Sequence, residues 1–453
     1  MMSPPFAAVI LAAGAGTRMK SHLPKVLHEI AGRPMLRLLI EALQPLAPAE
    51  TILVLGNGME TLAALAGTAR IVVQDPPRGT GDAVRLTRAA LVERLAPYGP
   101  VEDVLVLFGD TPLLRTETLR RLLDERRREP AAAVAVSGMR PADPGPYGRI
   151  LQNAAGELEA IVEAKDADPA QAAIPLCNGG IMAIDGRYLF ELVEAVRANN
   201  VQGEFYLTDI VKMARDLGLA CRVVEMPADE LLGVNSRSDL AAAEAILQDR
   251  LRREAMAEGA TLIAPETVFL CADTRFGRDV VVEPNVVFGR GVTIGDNVRI
   301  RSFSHIEGAA IGAGAIVGPF ARLRPGAVLD EAVHIGNFVE VKASRLGAGA
   351  KANHLAYLGD SEVGAGSNIG AGTITCNYDG FVKSRTTIGA GAFIGSNTAL
   401  VAPVTVGDGA IVAAGSVVTR DVPPDALTIG RGRQVDKPGR AAEFRARQEE
   451  GKG

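Results

Sequence analysis

Through most of the second half of the chain, aliphatic residues fall six apart, and no other feature limits its fold so sharply. Leu270, Phe276, Val282, Phe288, Ile294, Ile300 and Ile306 form one run; Val317, Leu323, Leu329, Ile335 and Val341 form a second; Ile388, Ile394, Leu400, Val406, Val412 and Val418 form a third. Steps of five occur at Ile311, Leu346 and Val363, and many of these positions precede glycine, as in Ile294-Gly295, Val317-Gly318, Ile369-Gly370 and Ile388-Gly389. A period of six fits neither an α-helix nor the alternation of a hairpin meander. One inward aliphatic per six residues, beside a small residue where the chain turns, is the pattern of a β-solenoid. Three hexapeptides close one triangular coil, and each coil buries its aliphatics only by stacking on its neighbours. Faces and loops then carry any function, and the repeat by itself fits a purely structural solenoid as well as an enzyme. The stretch CNYDGFVKSRT, Cys376 to Thr386, breaks the period and is expected to project as a loop.

The first half has a different pattern. Apolar runs at Ala7 (AAVIL), Thr51 (TILVL), Arg70 (RIVVQ), Asp103 (DVLVLF) and Ala132 (AAVAVS) alternate with amphipathic segments such as the one from Thr116. Continuous apolar strands between helices predict an α/β domain built on a parallel sheet covered on both faces. Between the halves, Ser236 to Glu258 reads as one long connecting helix. Ser238 is expected to cap it, Leu240, Ile246, Leu247 and Leu251 to share a face, and Gly259 to end it. The expected domains are therefore 1–235, a linker helix 236–259, a solenoid 260–430 and a polar tail 431–453. A chain of 453 residues exceeds what one core usually spans, which agrees.

A formal net charge of -5 gives no reason to expect nucleic acid or membrane as a partner. Cys177, Cys221, Cys271 and Cys376 lack CxxC spacing, so neither a disulfide framework nor a zinc site is indicated, and a reducing cytoplasm is the expected location. The apolar stretch Phe6 to Ala13 has no basic segment before it and reads as a buried strand, not a signal peptide.

Behind that first strand comes LAAGAGTRMKSHLPK, Leu11 to Lys25. Glycines at 14 and 16 let backbone amides approach a ligand, and the turn is expected to feed a helix N-terminus, where phosphate is favoured. Arg18 and Lys25 add two donors. The loop lacks the third glycine of the dinucleotide fingerprint and the GK[ST] ending of a Walker loop, so it is a phosphate loop of another class or an ordinary tight turn.

The run Leu11, Ala12, Ala13, Gly14, Gly16, Thr17, Arg18, Met19, with Pro24-Lys25 after it, resembles the signature of the sugar-1-phosphate nucleotidyltransferases. The resemblance continues through QDPPRGTGDA at Gln74, FGDTPL at Phe108, PYGRI at Pro146, IVEAKDA at Ile161, CNGG at Cys177 and GVNSR at Gly233. It implies a Rossmann-like domain in which a sugar 1-phosphate attacks the α-phosphate of a nucleoside triphosphate and pyrophosphate leaves. Lys25 and Arg18 suit the triphosphate. Asp110 stands at the carboxyl end of a core strand, where such sheets place ligand residues, and with Asn235 looks like the family's magnesium pair. The resemblance further implies that Gln74, Gly79 and Thr80 read the uracil, that the backbone of Leu11, Ala12, Ala13 and Gly14 surrounds the nucleotide, and that Gly148, Glu163 and Asn178 hold the sugar. Glu163 and Lys165 also read as a solvated charge pair.

ADP-glucose pyrophosphorylases share the first-half pattern and use their solenoid for regulation. The stretches ARLRPGAVL and NHLAYLGDSEVGAGSNIGAGTITCNYDG are instead similar to the acetyltransferase domain of the bifunctional N-acetylglucosamine-1-phosphate uridyltransferase/glucosamine-1-phosphate acetyltransferase family. That resemblance implies a left-handed parallel β-helix, association of three chains, and acetyl transfer from acetyl-coenzyme A to glucosamine 1-phosphate. Uridylyl transfer from UTP would then give UDP-N-acetylglucosamine, a precursor of peptidoglycan and lipopolysaccharide. His354 is the candidate base. By the same resemblance Glu340 orients His354 and fixes its tautomer; Arg324, Lys342, Tyr357 and Asn368 bind the sugar phosphate; Ala371, Asn377, Tyr378, Ser396, Ala414 and Arg431 meet acetyl-coenzyme A. A rival reading joins His305, His334 and His354 in a three-histidine zinc site, as in solenoid carbonic anhydrases, which lack the first half.

Phe108, Asp82 and Ala164 depart from the family pattern, where tyrosine, histidine and histidine are common. After Gly430, Arg431, Arg433, Lys437, Arg440, Arg445, Arg447 and Lys452 outnumber Asp436, Glu443, Glu449 and Glu450, and the segment reads as a loose tail whose first part reaches the coenzyme phosphates. Two functions stay open on the residues: a bifunctional enzyme, or a nucleotidyltransferase whose solenoid only assembles the trimer or binds a regulator.

Overall fold

The structure is a computed structural model and describes residues 5–14, 16–59, 62–95 and 102–450; Lys452 of the tail lies outside them. The chain divides into two compact units, Met1–Arg250 and Leu251–Gly453.

In the first unit, the predicted runs form β1 (Phe6–Ala12), β2 (Glu50–Gly56), β3 (Arg70–Gln74), β4 (Asp103–Phe108) and β5 (Val134–Met139). With β6 (Arg149–Gln152), β7 (Leu158–Val162), β8 (Cys177–Asp185) and β9 (Cys221–Glu225) they make a nine-stranded sheet ordered β9-β5-β8-β4-β1-β2-β3, the hairpin β6–β7 attached beside β8. Successive residues of β1 enter different cores. Val9 and Leu11 pack with Ile52, Val54 and the helices α2 (Thr80–Leu86) and α4 (Asp209–Asp216). Ala8, Ile10 and Ala12 pack with α1 (Met35–Leu43) and α3 (Thr116–Arg127). Each Val, Leu or Ile so buried contributes about 1.5–3 kcal/mol, which is why the strands read as unbroken apolar runs.

The sheet is mixed, not wholly parallel as expected. β8 runs antiparallel to both β4 and β5. The chain leaves β5 for the β6–β7 hairpin and re-enters without the helical crossover that a parallel return needs. This reversal puts the first residues of β8 at the end of the sheet where β1 and β4 finish.

The connecting helix, α5 (Arg237–Ala257), forms as predicted, but Ser236 caps it in place of Ser238. Ser236 Oγ accepts from the Asp239 N–H at 3.2 Å and Asp239 Oδ2 accepts from the Ser236 N–H at 2.9 Å, a reciprocal box that Ser238, two residues inside, cannot form. Gly259 ends the helix with φ 107°, and the Ala260 N–H closes on the Ala255 carbonyl at 3.0 Å.

In the second unit, three all-parallel sheets of ten, eight and eight strands wind as a hexapeptide β-helix. Register partners in most coils are 17 or 18 residues apart, as in Arg299↔Ile316 and Val282↔Ile300, and the period-six aliphatics from Val282 onward are buried in one continuous core. Glycine follows them because the coils nearly touch: a Cβ on Gly295 would lie 2.8 Å from the Ala313 nitrogen. The coil containing Cys376 to Thr386 spans 25 residues between Val363 and Ile388, and its extra length projects with Phe381 almost fully exposed. Beyond the last strand, Leu427–Thr428, the tail contains a helix, α6 (Arg440–Glu450), whereas a loose segment was expected; none of its residues is buried. No helix among the described residues is long and apolar enough to cross a membrane.

Candidate functional site

Because β1 pairs with β4 in the register Leu11↔Phe108, the loop after β1 and Asp110 after β4 emerge side by side at the carboxyl edge of the sheet. β3 adds Gln74 through Gly56↔Gln74. Two adjoining cavities open there. The smaller, about 310 Å³, is lined by Leu11, Ala12, Ala13, Gly14, Lys25, Gln74, Gly79 and Thr80, all eight predicted nucleotide residues. The larger, about 700 Å³, is lined by the predicted sugar residues Gly148, Glu163, Asn178 and Asn235, together with Arg18. Thr80, Phe108, Asp110 and Glu204 line both. A roomier cavity of about 740 Å³ lies on the solenoid along Gly277, Gly295 and Gly312, away from every candidate residue.

No α-helix starts behind the glycine loop. A single 3-10 turn, Thr17–Met19, ends at Lys20 with φ 48°, and a second, Lys25–Leu27, follows Pro24. Proline at 24 disfavours the helical conformation just before it. The loop therefore offers individual N–H groups and the Arg18 and Lys25 cations in place of a helix dipole. Gly16, at φ 62°, lets the loop lie against Lys25, whose Cβ would be 2.7 Å from a side chain at that position.

The Lys25 ammonium donates to the Asp110 carboxylate and, at 2.9 Å, to Asn235 Oδ1. The two acceptors are fixed from behind: the Val234 N–H donates to the Asp110 carbonyl at 2.9 Å, and Asn235 Nδ2 donates to Gly233 O at 3.4 Å. Gln74 commits both hydrogens of its amide, to Gly79 O and to Asp82 Oδ2, each at 3.0 Å. Asp82 in turn accepts from Arg85 at 2.5 Å. The carboxylate at the position where histidine is common thus orients the nucleotide-cavity amide.

In the larger cavity, Asn178 Oδ1 accepts from the Gly180 N–H at 2.9 Å, which leaves its NH₂ to donate. Glu163 is not paired with Lys165. It accepts from Thr208 Oγ1 at 3.0 Å, and Lys165 donates to Gln202, because β7 and the loop behind it turn the two side chains apart. Burial raises the Glu163 pKa, the Thr208 hydrogen bond opposes the shift, and the charges of Asp209 and Asp166 reinforce it.

On the solenoid, Arg324, Lys342 and Tyr357 lie on or directly after strands of one sheet, with Arg322↔Glu340↔Tyr357 in register. Asn368 pairs with Lys351 on another sheet, and His354 ends the strand Lys351–His354 of that same sheet. Ala371, Ser396, Ala414 and Arg431 stack on successive coils. The Asn397 N–H meets Ala371 O at 2.7 Å, the Gly415 N–H meets Ser396 O at 2.8 Å, and Arg431 Nη1 meets Ala414 O at 2.8 Å. Asn377 Nδ2 holds Asp360 at the base of the projecting loop, and Tyr378 donates to Gly380 O within it.

The structure corrects the role expected of Glu340. Its carboxylate accepts from Arg324 at 2.8 Å and lies 3.8 Å from Arg322, so it orients a cation and not the imidazole. The partner of His354 is Asn337, whose Oδ1 lies 2.8 Å from His354 Nδ1. A carboxamide oxygen only accepts, so Nδ1 carries the proton and Nε2 is left as the basic nitrogen. Asn337 escaped sequence reasoning because the pairing Asn337↔His354 exists only through coil stacking. His305 and His334 belong to different sheets, and burial lowers the His334 pKa, with the charges of Arg301, Lys351 and His354 adding to it. Among the described residues, no group of three or more His, Cys, Asp or Glu side chains gathers to hold a metal ion.

A family profile described as MobA-like NTP transferase domain matches residues 8–258, and one described as Bacterial transferase hexapeptide (six repeats) matches 273–308 and 385–420. The chain is 56% identical over 449 residues to the bifunctional protein GlmU of Paramagnetospirillum magneticum, covering 99% of this chain and 98% of that protein. It is 59% identical over 440 residues to that of Rhodospirillum rubrum, covering 97% of each, and 55% identical over 444 residues to that of Sphingopyxis alaskensis, covering 98% and 97%.

Proposed function

The chain belongs to the bifunctional GlmU family, and from that premise we propose how its residues divide the work of making UDP-N-acetylglucosamine. It is an enzyme with two activities, acetyl transfer to glucosamine 1-phosphate and uridylyl transfer to the N-acetylated product. The observation that carries the assignment of the first unit's site is the junction of two cavities at Asp110, one lined by every predicted nucleotide residue and the other by Gly148, Glu163, Asn178 and Asn235, the sugar residues predicted for that unit.

In the first unit, the loop Leu11–Gly14 and Gln74 bind the nucleotide. With both amide hydrogens of Gln74 committed, only Oε1 faces a base. It accepts the N3–H of uracil, and cytosine has no hydrogen there. Glu163 accepts and Asn178 donates to sugar hydroxyls, while Arg18 and Lys25 neutralise phosphate oxygens so that the sugar phosphate approaches in line. Asp110 and Asn235 fit Mg²⁺: their two oxygens already converge on the Lys25 ammonium, and such an ion needs only one or two protein oxygens besides phosphates and water. When bound, the ion supplies charge neutralisation at the triphosphate.

In the second unit, Arg324, anchored by Glu340, binds the phosphate of glucosamine 1-phosphate with Lys342, Tyr357 and Asn368. His354 Nε2 takes the proton of the amine as its nitrogen attacks the thioester carbonyl and coenzyme A leaves as the thiol, a contribution of about 10²- to 10⁴-fold. The ladder Ala371, Ser396, Ala414 and Arg431, with Asn377 and Tyr378, receives the coenzyme. Three copies associate through an apolar ridge at one solenoid corner, where Phe303, Phe320 and Phe338 stack at 4.9 and 5.2 Å and, with Leu355, stay between 45% and 62% exposed.

The test is one assay containing glucosamine 1-phosphate, acetyl-coenzyme A, UTP and magnesium, reading thiol and pyrophosphate separately. Pyrophosphate that depends on acetyl-coenzyme A is the expected result. Pyrophosphate from supplied N-acetylglucosamine 1-phosphate with no thiol release would leave the solenoid a scaffold.

A further inference from the structure

Lys25 stands where a divalent cation would be held. Its ammonium donates to Asp110 and Asn235, the two residues read above as metal ligands, and its side chain and that of Asp110 are only 12% and 18% exposed. Three contacts brace the arrangement. The Val234 N–H holds the Asp110 backbone, the Gly233 carbonyl fixes the Asn235 amide with its oxygen toward the ammonium, and the loop at Gly16 packs on the Lys25 stem. The same lysine lines the nucleotide cavity with Leu11–Gly14.

We propose that Lys25 is a tethered counter-ion that holds the metal position in the ligand-free chain and moves to the phosphates when metal and nucleotide enter. The proposal rests on the reading of Asp110 and Asn235 as metal ligands. An ammonium in hydrogen-bond contact with both oxygens and a divalent ion cannot occupy the same point, so the ion must displace Lys25. Without nucleotide, the displaced ammonium gives up its contacts to both oxygens and needs a new anionic partner. A triphosphate in the adjoining cavity supplies one. Metal alone therefore binds weakly, metal and nucleotide strengthen each other, and the coupling is the same in either order of addition. Before loading, the Lys25 ammonium offsets the Asp110 carboxylate; after loading, the divalent cation takes over that role and Lys25 offsets part of the triphosphate charge.

The experiment titrates Mn²⁺ into the full-length protein and reads free Mn²⁺ by electron paramagnetic resonance, first alone and then with UTP, after subtraction of the Mn²⁺ that UTP binds in solution. Wild type is compared with Lys25→Met, which keeps the bulk of the stem, with Lys25→Gln, and with Asp110→Asn. Both Lys25 variants are expected to bind Mn²⁺ alone about tenfold more tightly than wild type, a change of about 1.4 kcal/mol, and to lose most of the gain that UTP gives the wild type. Unchanged or weaker Mn²⁺ binding in both Lys25 variants, with binding abolished by Asp110→Asn, overturns the counter-ion role and leaves the ligand assignment standing. Wild-type Mn²⁺ affinity in Asp110→Asn removes the ligand assignment, and the proposal with it. Circular dichroism melts of the Lys25 variants confirm that the chain compared is folded.

Discussion

Asn337→Ala tests whether a cross-coil hydrogen bond sets the base of the acetyl transfer. The Asn337 oxygen accepts from His354 Nδ1 at 2.8 Å and makes Nε2 the proton acceptor. His354 is exposed at the solenoid corner, so the bond is a neutral one in contact with water and contributes about 0.5–1.5 kcal/mol. If that energy appears as transition-state stabilisation, kcat/KM for thiol release falls about 2- to 12-fold. His354→Ala removes the proposed base and is expected to lower it about 10²- to 10⁴-fold. Asn337 acts only through His354, so adding Asn337→Ala to His354→Ala should cost nothing further, and pyrophosphate release from supplied N-acetylglucosamine 1-phosphate should be untouched in all three proteins. The assay is thiol release at saturating glucosamine 1-phosphate in a double-mutant cycle. Equal, additive losses from the two substitutions would refute the reasoning, because Asn337 would then act independently of the imidazole. So would an unchanged rate in Asn337→Ala.

Three further outcomes follow from the same geometry. Glu163→Gln should weaken N-acetylglucosamine 1-phosphate binding yet stabilise the free protein at neutral pH. The folded pKa of Glu163 is raised by burial from 4.5, so its stability contribution is complete below that value and is lost as pH rises through the folded one. Melts from pH 4.5 to 8 should show the variant's advantage opening with pH, and a wild type that is the more stable at pH 8 contradicts this. Asp82→Ala frees one hydrogen of the Gln74 amide, so the UTP-over-CTP ratio of kcat/KM should fall by about tenfold, with the two nucleotides assayed in parallel; an unchanged ratio removes Asp82 from base selection. Phe320→Glu places a charge in the stacked ridge and should turn the proposed trimer into monomers by light scattering. A variant that stays trimeric moves the interface elsewhere.

How far the sequence reaches depends on the range of the interaction being read. The period of six determined the solenoid, because one inward aliphatic per face is a property of adjacent residues and needs no knowledge of the partner coil. The strand runs from Phe6 to Phe108 were legible for the same reason, and so was the helix from Arg237 to Ala257 with its stop at Gly259. That the expected site residues line two adjoining cavities followed from a family resemblance carried by short, ordered stretches at strand ends such as AAGAGTRM and FGD.

Tertiary structure alone decided the rest. β8 reverses the sheet because the β6–β7 hairpin returns without a crossover helix, and hydrophobicity is the same for either strand direction. Lys25 reaches Asn235 across 210 residues, and Asn337 reaches His354 across one coil. Glu340 turns to Arg324 in the neighbouring strand, although its chemistry suits an imidazole equally well. A side chain's identity states what it can bond to; which partner it takes is settled by the register that stacks one coil or strand on the next, and that register is a distance no single segment of the chain contains.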